Sequence, residues 1–408
     1  MALQSSEEAI PHSAPDGRRP AARYALLATI LAFAWQALTV QFNFDGNWSA
    51  LFQTGAAWEL PPGQVFEDTY RFENSGGFDG QFYRYIAHDP LLSKNFKGFV
   101  DFPRLRWERI LVPGLAYVVA LGQDHFIDAA YSAVVLAFVF LGSFWLAQYF
   151  QRHNRSAAWG LAFLFVPAVT ISIERLTIDI ALAAFCIGFA LYAERPQGWQ
   201  TYLILTLAPL ARETGIFLTA AYVLYQFSRK HWRGAILAAA TTLPFLMWFL
   251  FVRAHTGPES VEWGDFLPSL PFQGILLRTF HPLWLVNHET WKQTLAGLLD
   301  HAALLGVWFA FFVSVRLLRR RKWSPLEFSI GAFVLLAVLL ANLFTWGEAY
   351  AFGRYLSPLL AWLAMIGLVE RRLSLALPLC LVTLRVVAQI TPQALGIGAG
   401  IFGFDPRL

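Results

Sequence analysis

Long apolar runs, separated by short polar or basic stretches, dominate the pattern of this 408-residue chain. The first run covers 24–42, and later ones include 126–149, 157–173 and 235–252. Such runs approach the roughly 20 apolar residues that a transmembrane helix needs. The pattern therefore predicts an all-α, polytopic helical membrane protein.

The basic residues between these runs assign an orientation. Because Lys and Arg concentrate in cytoplasmic loops, Arg18, Arg19 and Arg23 place the N-terminus inside, and the cluster at 316–322 marks another inner loop. The alternation predicts about eleven crossings of the plasma (inner) membrane, several of them shorter than a straight span needs, which favours paired or tilted helices. The predicted crossings are 24–42, 126–149, 157–173, 178–193, 201–210, 215–227, 235–252, 294–315, 328–344, 355–369 and 373–390.

The polar segments complete the predicted organisation. Residues 1–23 are polar and proline-rich, so we expect a disordered cytoplasmic tail before a single membrane domain at 24–408. Two long outer loops are predicted at 43–106 and 253–292. The apolar stretch 107–121 is short and contains a Pro-Gly pair, which favours a re-entrant or interfacial element over a full crossing.

Composition agrees with this class and excludes others. Hydrophobic residues make up 57% of the chain and charged residues only 14%, which a soluble domain does not show. Cys186 and Cys380 each lie in an apolar run and are predicted to be small core residues. The sequence has no phosphate-binding glycine loop, dinucleotide fingerprint or His-Glu-x-x-His motif, so no nucleotide cofactor is expected. Its basic residues are scattered, which argues against nucleic acid as a partner.

The most distinctive polar stretch is 76–90, in the first outer loop. Apolar residues such as Phe82 and Ile86 fall at helical spacing, which predicts a short amphipathic helix near 79–89 with an aromatic face, lying at the membrane surface. Asp79 would stand at its N-terminus. Two interpretations of Asp79 compete: an N-cap or the first half of an Asp-Gly turn, or a catalytic carboxylate.

Other ionisable residues collect on the same predicted outer face. They are Glu174-Arg175 with Asp179, Arg212-Glu213, and Glu348 with Arg354. An ionisable group at membrane depth costs about 3 kcal/mol, so such groups usually face a cavity or one another. Arg212 and Glu213 are either a structural ion pair between packed helices or part of a site, and the charges at 174–179 are either ordinary loop-end charges or part of the same site.

Three stretches resemble the GT-C superfamily of integral-membrane glycosyltransferases. Residues 78–83, Phe-Asp-Gly-Gln-Phe-Tyr, are similar to the aromatic-Asp motif of PIG-V-type mannosyltransferases and uncharacterised bacterial relatives. Residues 103–122 resemble the apolar interfacial element after that loop, and 207–215 resemble the family's short helix, charged turn and return helix. The likeness covers residues 24–230, mostly as topology. Some family members have two adjacent acids in the first outer loop. This chain differs from them, because Gly80 follows Asp79.

The resemblance implies transfer of a sugar from a polyprenyl-phosphate donor to a glycan, lipid or protein acceptor at the outer face. A carboxylate would accept the proton of the acceptor hydroxyl, and arginines would stabilise the phosphate leaving group. Asp79 is the candidate for the first role. The candidates for substrate binding are Arg104, Arg106, Arg109, Arg212, Glu213, Arg354 and His88. The basic segment 104–109 fits a lipid head-group patch equally well, and His88 fits a turn residue.

Other classes of function are compatible with the same pattern. The alternatives are a flippase or transporter of lipid-linked glycans, a polymerase of such glycans, and a non-catalytic assembly subunit. No internal repeat of the kind common in transporters is evident, and the long first outer loop favours an enzyme. Membrane lipids are expected partners, and the sequence leaves open whether a divalent metal ion takes part.

Overall fold

The computed structural model describes residues 18–194, 198–257, 270–282, 285, 290–320, 323–340 and 345–403, and the fold within them is almost entirely helical. A short parallel pair, β1 (Thr54–Gly55) and β2 (Arg71–Phe72), braces the first loop. A 3-10 helix at Ala157–Phe165 precedes α6. The α-helices are α1 (Arg18–Asn43), α2 (Asp79–His88), α3 (Pro103–Glu108), α4 (Leu111–Val119), α5 (Asp124–Arg152), α6 (Pro167–Arg175), α7 (Asp179–Tyr192), α8 (Trp199–Ala211), α9 (Ile216–Ser228), α10 (Trp232–Ala240), α11 (Leu243–Thr256), α12 (Gln273–Phe280), α13 (Trp291–Leu318), α14 (Pro325–Leu339), α15 (Ala349–Glu370), α16 (Leu377–Gln389) and α17 (Thr391–Phe402).

Among the described residues, five helical stretches are long and apolar enough to cross a membrane. They are α1, α5, α10 with α11, α13 and α15, and the number rises to seven if two bent pairs each form one span. The pairs are Ala157–Phe165 with α6, bent by 64°, and Leu373–Gln389 with α17, bent by 49°. The chain is therefore a multi-pass helical membrane protein. The predicted number of about eleven crossings is not confirmed, because segments such as α7 and α14 have only 14 and 15 residues.

Two predicted segments differ from the structure. Helix α1 begins at Arg18, so the tail predicted at 1–23 is wrong for 18–23, where Pro20 fits a first helical turn and alanines follow it. Residues 1–17 lie outside the described part. The predicted outer loop 253–292 contains the end of α11 and the whole of α12, and its residues 258–269 are likewise not described.

Helix α2 confirms the predicted helix near 79–89, but the helix is enclosed by protein on all sides rather than along one face. Every residue from Gly80 to His88 is buried, and the helix packs on α4 and α5. Its polar side chains have partners inside the protein. Arg84 donates through Nε and Nη2 to Asp128 at 2.9 and 2.7 Å. An amphipathic pattern can therefore reflect internal ion pairs on α5 rather than contact with water.

Helix α4 corresponds to the element predicted at 107–121. With nine residues it is about 13 Å long, less than half the thickness of a bilayer core. It is therefore too short to cross alone, as the sequence indicated. The break at Arg109 that separates it from α3 turns the Arg109 side chain towards α8 and α9, where it meets Glu213.

Helices α7 and α15 contribute much of the core, because most residues of each are buried. Trp362 of α15 donates from Nε1 to the Cys186 carbonyl of α7 at 3.0 Å, and the Phe333 ring packs edge-on against Trp362. Cys186 is buried as predicted. Cys380 on α16 is exposed, so its predicted place in the core is wrong, and both cysteines are free thiols.

Basic residues from several predicted inner loops meet on one face. Arg155 donates to the Val369 carbonyl at 2.8 Å, and Arg320 pairs with Glu370 at 2.9 Å. The opposite helix ends, which carry Asp79, Asp179 and Arg354, also meet one another, because Arg354 contacts both carboxylates. The two groups of helix ends thus correspond to two faces.

Cysteine labelling tests the orientation of these faces. In a Cys380→Ser background, we expect a membrane-impermeant maleimide to label Glu73→Cys on intact spheroplasts and to label Arg319→Cys only after permeabilisation, because arginine-rich loops stay in the cytoplasm. Both positions are exposed. Labelling of Arg319→Cys on intact spheroplasts would reverse the orientation.

Candidate functional site

Asp79 occupies the first turn of α2 without capping it. The N-cap is Phe78, whose backbone is extended, and Asp79 is the first helical residue. Its carboxylate accepts hydrogen bonds from Arg106 Nη2 at 3.0 Å and Arg354 Nη1 at 2.6 Å. The interpretations of Asp79 as an N-cap or as part of an Asp-Gly turn are therefore wrong. Its carboxylate joins α2 to α3 and α15.

A glycine brings the start of α2 to this position. A Cβ atom on Gly80 would lie 2.2 Å from the Arg175 carbonyl oxygen and 2.9 Å from the Phe52 carbonyl oxygen. Only a residue without a side chain lets the N-terminus of α2 approach the C-terminus of α6 this closely. Gly80 therefore fixes the position of Asp79.

Gly80→Ala is expected to destabilise the protein, because the added methyl group meets two backbone oxygens that cannot move aside easily. Overpacking of this kind typically costs about 1–3 kcal/mol. Gly76→Ala is the matched control, since a Cβ there meets nothing within 4 Å. The check is thermal unfolding in detergent, and equal melting temperatures for the two variants would contradict the close approach.

Ion pairs extend from Asp79 into a larger charged cluster. Arg106 also pairs with Asp101 at 2.7 Å, and Arg354 reaches Asp179 at 3.5 Å. The Asp179 carboxylate accepts in turn from Arg212. We call the following eight residues the charged cluster: Asp79, Asp101, Asp179, Glu213, Arg106, Arg109, Arg212 and Arg354. Its four carboxylates and four guanidinium groups balance in formal charge.

Arg212 and Glu213 are adjacent in the chain, but each forms its main ion pair with a different residue. Glu213 accepts two hydrogen bonds from Arg109, at 2.6 and 2.8 Å, whereas Arg212 pairs with Asp179. The nearest approach of Arg212 Nε to Glu213 is 3.9 Å. The predicted structural pair is thus a link in a network that joins α3, α7 and the turn between α8 and α9. All four side chains are buried.

Two tyrosines complete the cluster. The Tyr83 hydroxyl of α2 accepts from Arg109 Nη1 at 2.9 Å and from Arg106 Nη1 at 3.4 Å. The Arg212 guanidinium lies 3.8 Å from the centre of the Tyr355 ring, a cation–π contact. These contacts hold the arginine side chains in place, so the cluster is preorganised rather than loosely assembled.

The pKa of Asp79 reflects two opposed effects. Burial raises the pKa of its carboxyl group, but Arg106 and Arg354 outweigh burial and hold the pKa well below its usual range. The carboxylate is therefore ionised at neutral pH. While both arginines hold it, however, it is a weak base. Its basicity depends on whether the arginines stay in place.

An aromatic layer separates the charged cluster from a second polar group. The Phe78 ring lies between Arg175 and Arg354, whose guanidinium carbons are 4.4 and 5.0 Å from its centre. On the other side, the buried Glu174 accepts hydrogen bonds from Tyr350 and from Gln393 Nε2, the latter at 3.1 Å. The charges predicted at 174–179 thus divide, with Asp179 in the charged cluster and Glu174 beside it.

An apolar groove of about 280 Å³ opens next to the cluster. Its polar groups include those of Glu108, Arg109, Glu213, Thr214 and Tyr355. Its apolar wall comes from α9, α11 and α14, and consists of Ile216, Phe217, Phe245, Phe249, Leu336 and Leu339. A ligand with a charged group and an apolar chain fits this combination.

The structure brings most of the predicted site residues together and separates two. The candidates inside the charged cluster are Asp79, Arg106, Arg109, Arg212, Glu213 and Arg354. Arg104 instead donates to the Gly257 carbonyl at the end of α11. His88 lies at the other end of α2, about 13 Å along the helix, where it contacts Asp124 at 2.9 Å. His88 is therefore remote from the charged cluster, beside α5.

Sequence reasoning missed Asp101, Tyr83 and Tyr355 as members of the site. Tyr83 lies inside the 78–83 motif, and Tyr355 directly follows Arg354. Their closeness in sequence to candidate charged residues could have indicated that both belong to the site. Asp101 precedes Arg106 by five residues across the start of α3, a spacing that carries no regular pattern.

The carboxylates of the cluster face arginines. Within the described ranges, no group of three or more His, Cys, Asp or Glu side chains is arranged to hold a metal ion. Comparisons with protein-family models, curated proteins and solved structures find no match.

Proposed function

We propose that the chain is a GT-C-type membrane glycosyltransferase that moves a sugar from a polyprenyl-phosphate donor to a cell-surface glycan, lipid or protein acceptor. The charged cluster beside the apolar groove is the observation that carries this proposal. Arginines pair well with phosphate oxygens, and the groove offers a place for the polyprenyl chain. In this proposal the short helices complete a bundle of about eleven crossings, with the cluster at the outer face of the plasma membrane.

Arg109 is the group best placed to receive the donor phosphate. It is one of the polar groups that line the groove, and its guanidinium group is shared between Glu213 and the Tyr83 hydroxyl. A phosphate diester would compete with Glu213 for the same donors. The cluster has as many carboxylates as guanidinium groups. Each arginine that turns to the phosphate therefore leaves a carboxylate with less of its negative charge neutralised.

Sugar transfer requires one general base for the acceptor hydroxyl and several cations for the phosphate leaving group. The bond between the anomeric carbon and the phosphate oxygen breaks, the acceptor oxygen bonds to that carbon, and the acceptor proton passes to Asp79. The leaving polyprenyl phosphate gains a second negative charge where the donor carried one. Arginines that have turned to the donor phosphate on binding are then in position to stabilise that developing charge.

Asp79 becomes a stronger base in this scheme only when the donor is bound. Arg106 and Arg354 hold the pKa of its carboxyl group low in the free protein. When either arginine turns towards the donor phosphate, that pKa rises and the carboxylate can accept a proton. Donor binding would thus activate the base, which limits wasteful reaction with water.

The groove can be tested separately from the chemistry. Leu339→Trp is expected to lower the affinity for a polyprenyl phosphate by roughly tenfold, because the larger side chain narrows the apolar wall. Leu335→Trp is the matched control, because Leu335 is on the same helix but is exposed and does not line the groove. Binding is measured by displacement of a fluorescent polyprenyl phosphate from the purified protein. Equal affinity in the two variants would place the lipid chain elsewhere.

One observation favours a flippase of lipid-linked glycans as the second candidate. The helix pair ending at Arg175 is bent by 64° beside the charged cluster, and broken helices are common in transporters. A flippase moves the intact donor across a bilayer without discharging the sugar. Reconstituted vesicles containing a fluorescent donor distinguish the two, since transbilayer movement without sugar transfer supports the flippase.

A further inference from the structure

A second polar pocket, of about 630 Å³, lies at the opposite ends of α8 and α9. Each helix has 13 residues, so this pocket is about 20 Å from the charged cluster. Three tyrosines and three basic side chains line it: Tyr202, Tyr222, Tyr225, Lys230, His231 and Arg233. It takes no part in the proposed transfer reaction.

The C-terminus of α9 positions the basic residues of this pocket. Helix α9 closes with Lys230 in the left-handed conformation, at a φ of 60°. The backbone N–H groups of Lys230 and His231 donate to the carbonyls of Phe227 and Gln226, both at 2.9 Å. These two bonds form a Schellman motif. The turn therefore fixes the direction in which Lys230 and the following basic residues leave the helix.

The positive charge of the pocket is not neutralised by the surrounding helices. Lys230 and Arg233 are exposed, and neither makes an ion pair with a carboxylate among the residues that the structure describes. Glu194 is the single acidic residue among those that line the pocket, so the cations exceed the acids. An anion that enters would gain charge-assisted hydrogen bonds without first breaking a salt bridge.

Exposed aromatic residues at this end of α8, α9 and α10 indicate the depth of the pocket in the bilayer. Trp232, Phe227 and Trp199 are each more than half exposed, and the rings of Phe227 and Trp232 pack edge-on at 4.5 Å. Exposed tryptophans on membrane helices concentrate at the level of the lipid head groups. The mouth of the pocket therefore lies where a phospholipid presents its phosphate.

The interior can donate hydrogen bonds to that phosphate. Tyr222 is buried with its ring stacked 6.0 Å from that of Tyr225. Gln226 contacts His231 Nδ1 at 3.3 Å and lies against Gly234, where a Cβ would come within 3.1 Å of its amide carbon. Phenol, amide and imidazole groups thus stand beside the cations around one cavity.

We propose that this pocket binds the phosphate head group of an anionic membrane phospholipid. Basic pockets between transmembrane helices bind such head groups, and each nearby cation strengthens the attachment. The acyl chains would run along the exposed apolar surface of α9 and α10. This inference is independent of the transfer reaction, so either can fail without the other.

The test measures retention of phosphatidylglycerol by the full-length protein in native mass spectrometry, with phosphatidylcholine as the neutral competitor. The double variant Lys230→Gln/Arg233→Gln is expected to retain roughly tenfold less phosphatidylglycerol, since two cations are lost. Arg316→Gln/Arg319→Gln is the matched control, because it removes two exposed arginines outside the pocket. The melting temperatures of both variants without added lipid show that each remains folded.

Two results would overturn the proposal. Equal loss of phosphatidylglycerol in the pocket variant and the control would show diffuse attraction to the basic face rather than a site. Displacement of the lipid by millimolar inorganic phosphate would show a site for a free anion instead of a lipid. Retention that depends on the pocket residues and resists inorganic phosphate supports a lipid site.

Discussion

Asp79→Asn is expected to reduce sugar transfer by about a hundredfold to ten-thousandfold, the usual contribution of a general base. Asparagine has the same shape but cannot accept the proton of an acceptor hydroxyl at neutral pH. Folding should be little affected, because Arg106 keeps Asp101 and Arg354 keeps Asp179 as partners. Turnover is measured with a defined donor and acceptor at saturating donor.

Asp101→Asn is the control for this prediction. Asp101 shares Arg106 with Asp79, at 2.7 and 3.0 Å, so the variant also weakens an ion pair of the cluster. It leaves the Asp79 carboxylate in place, and we expect a much smaller loss of turnover. If Asp79→Asn works within about threefold of the parent protein, another group is the base.

The second large effect is expected at the pair Arg109 and Glu213. Arg109→Met alone leaves Glu213 charged and buried without its principal partner, which typically costs about 3–5 kcal/mol of stability. The double variant Arg109→Met/Glu213→Gln removes both charges at similar volume. It should therefore recover most of the lost stability, because neutral replacement of a buried ion pair is often tolerated.

Donor affinity separates a functional pair from a structural one. If Arg109 binds the donor phosphate, the double variant should bind polyprenyl phosphate at least roughly tenfold more weakly even though it is stable. Thermal unfolding and displacement of a fluorescent polyprenyl phosphate are measured on the same preparations. Parent-like affinity in the stable double variant would make this pair structural only.

The sequence located most of the charged cluster because ionisable residues are rare and costly within apolar segments. Arg212 and Arg354 stood out for this reason. The choice of partners could not be predicted, since it depends on how the helices pack. Arg212 and Glu213 looked like partners by adjacency, yet they pair with Asp179 and Arg109, which lie 33 and 104 residues away in the chain.

The burial of α2 within the protein and the number of crossings were harder to predict, because neither follows from local sequence alone. Arg84 and His88 give α2 an amphipathic pattern, but their partners Asp128 and Asp124 lie on α5 and are invisible to local periodicity. Hydropathy also does not distinguish a short buried helix from a span, so the crossing predicted at 178–193, where α7 has 14 residues, is not confirmed. Cys380 shows the same ambiguity, because an apolar run can face lipid as readily as the core.

Sugar transfer by the purified protein, measured with a panel of radiolabelled polyprenyl-phosphate sugars, tests the proposed activity most directly. Membranes from cells that make the protein supply the acceptor. The proposal predicts that one donor is discharged, with release of polyprenyl phosphate and labelling of the acceptor, and that Asp79→Asn abolishes both. Discharge of no donor by the parent protein, or equal discharge by parent and variant, would contradict it.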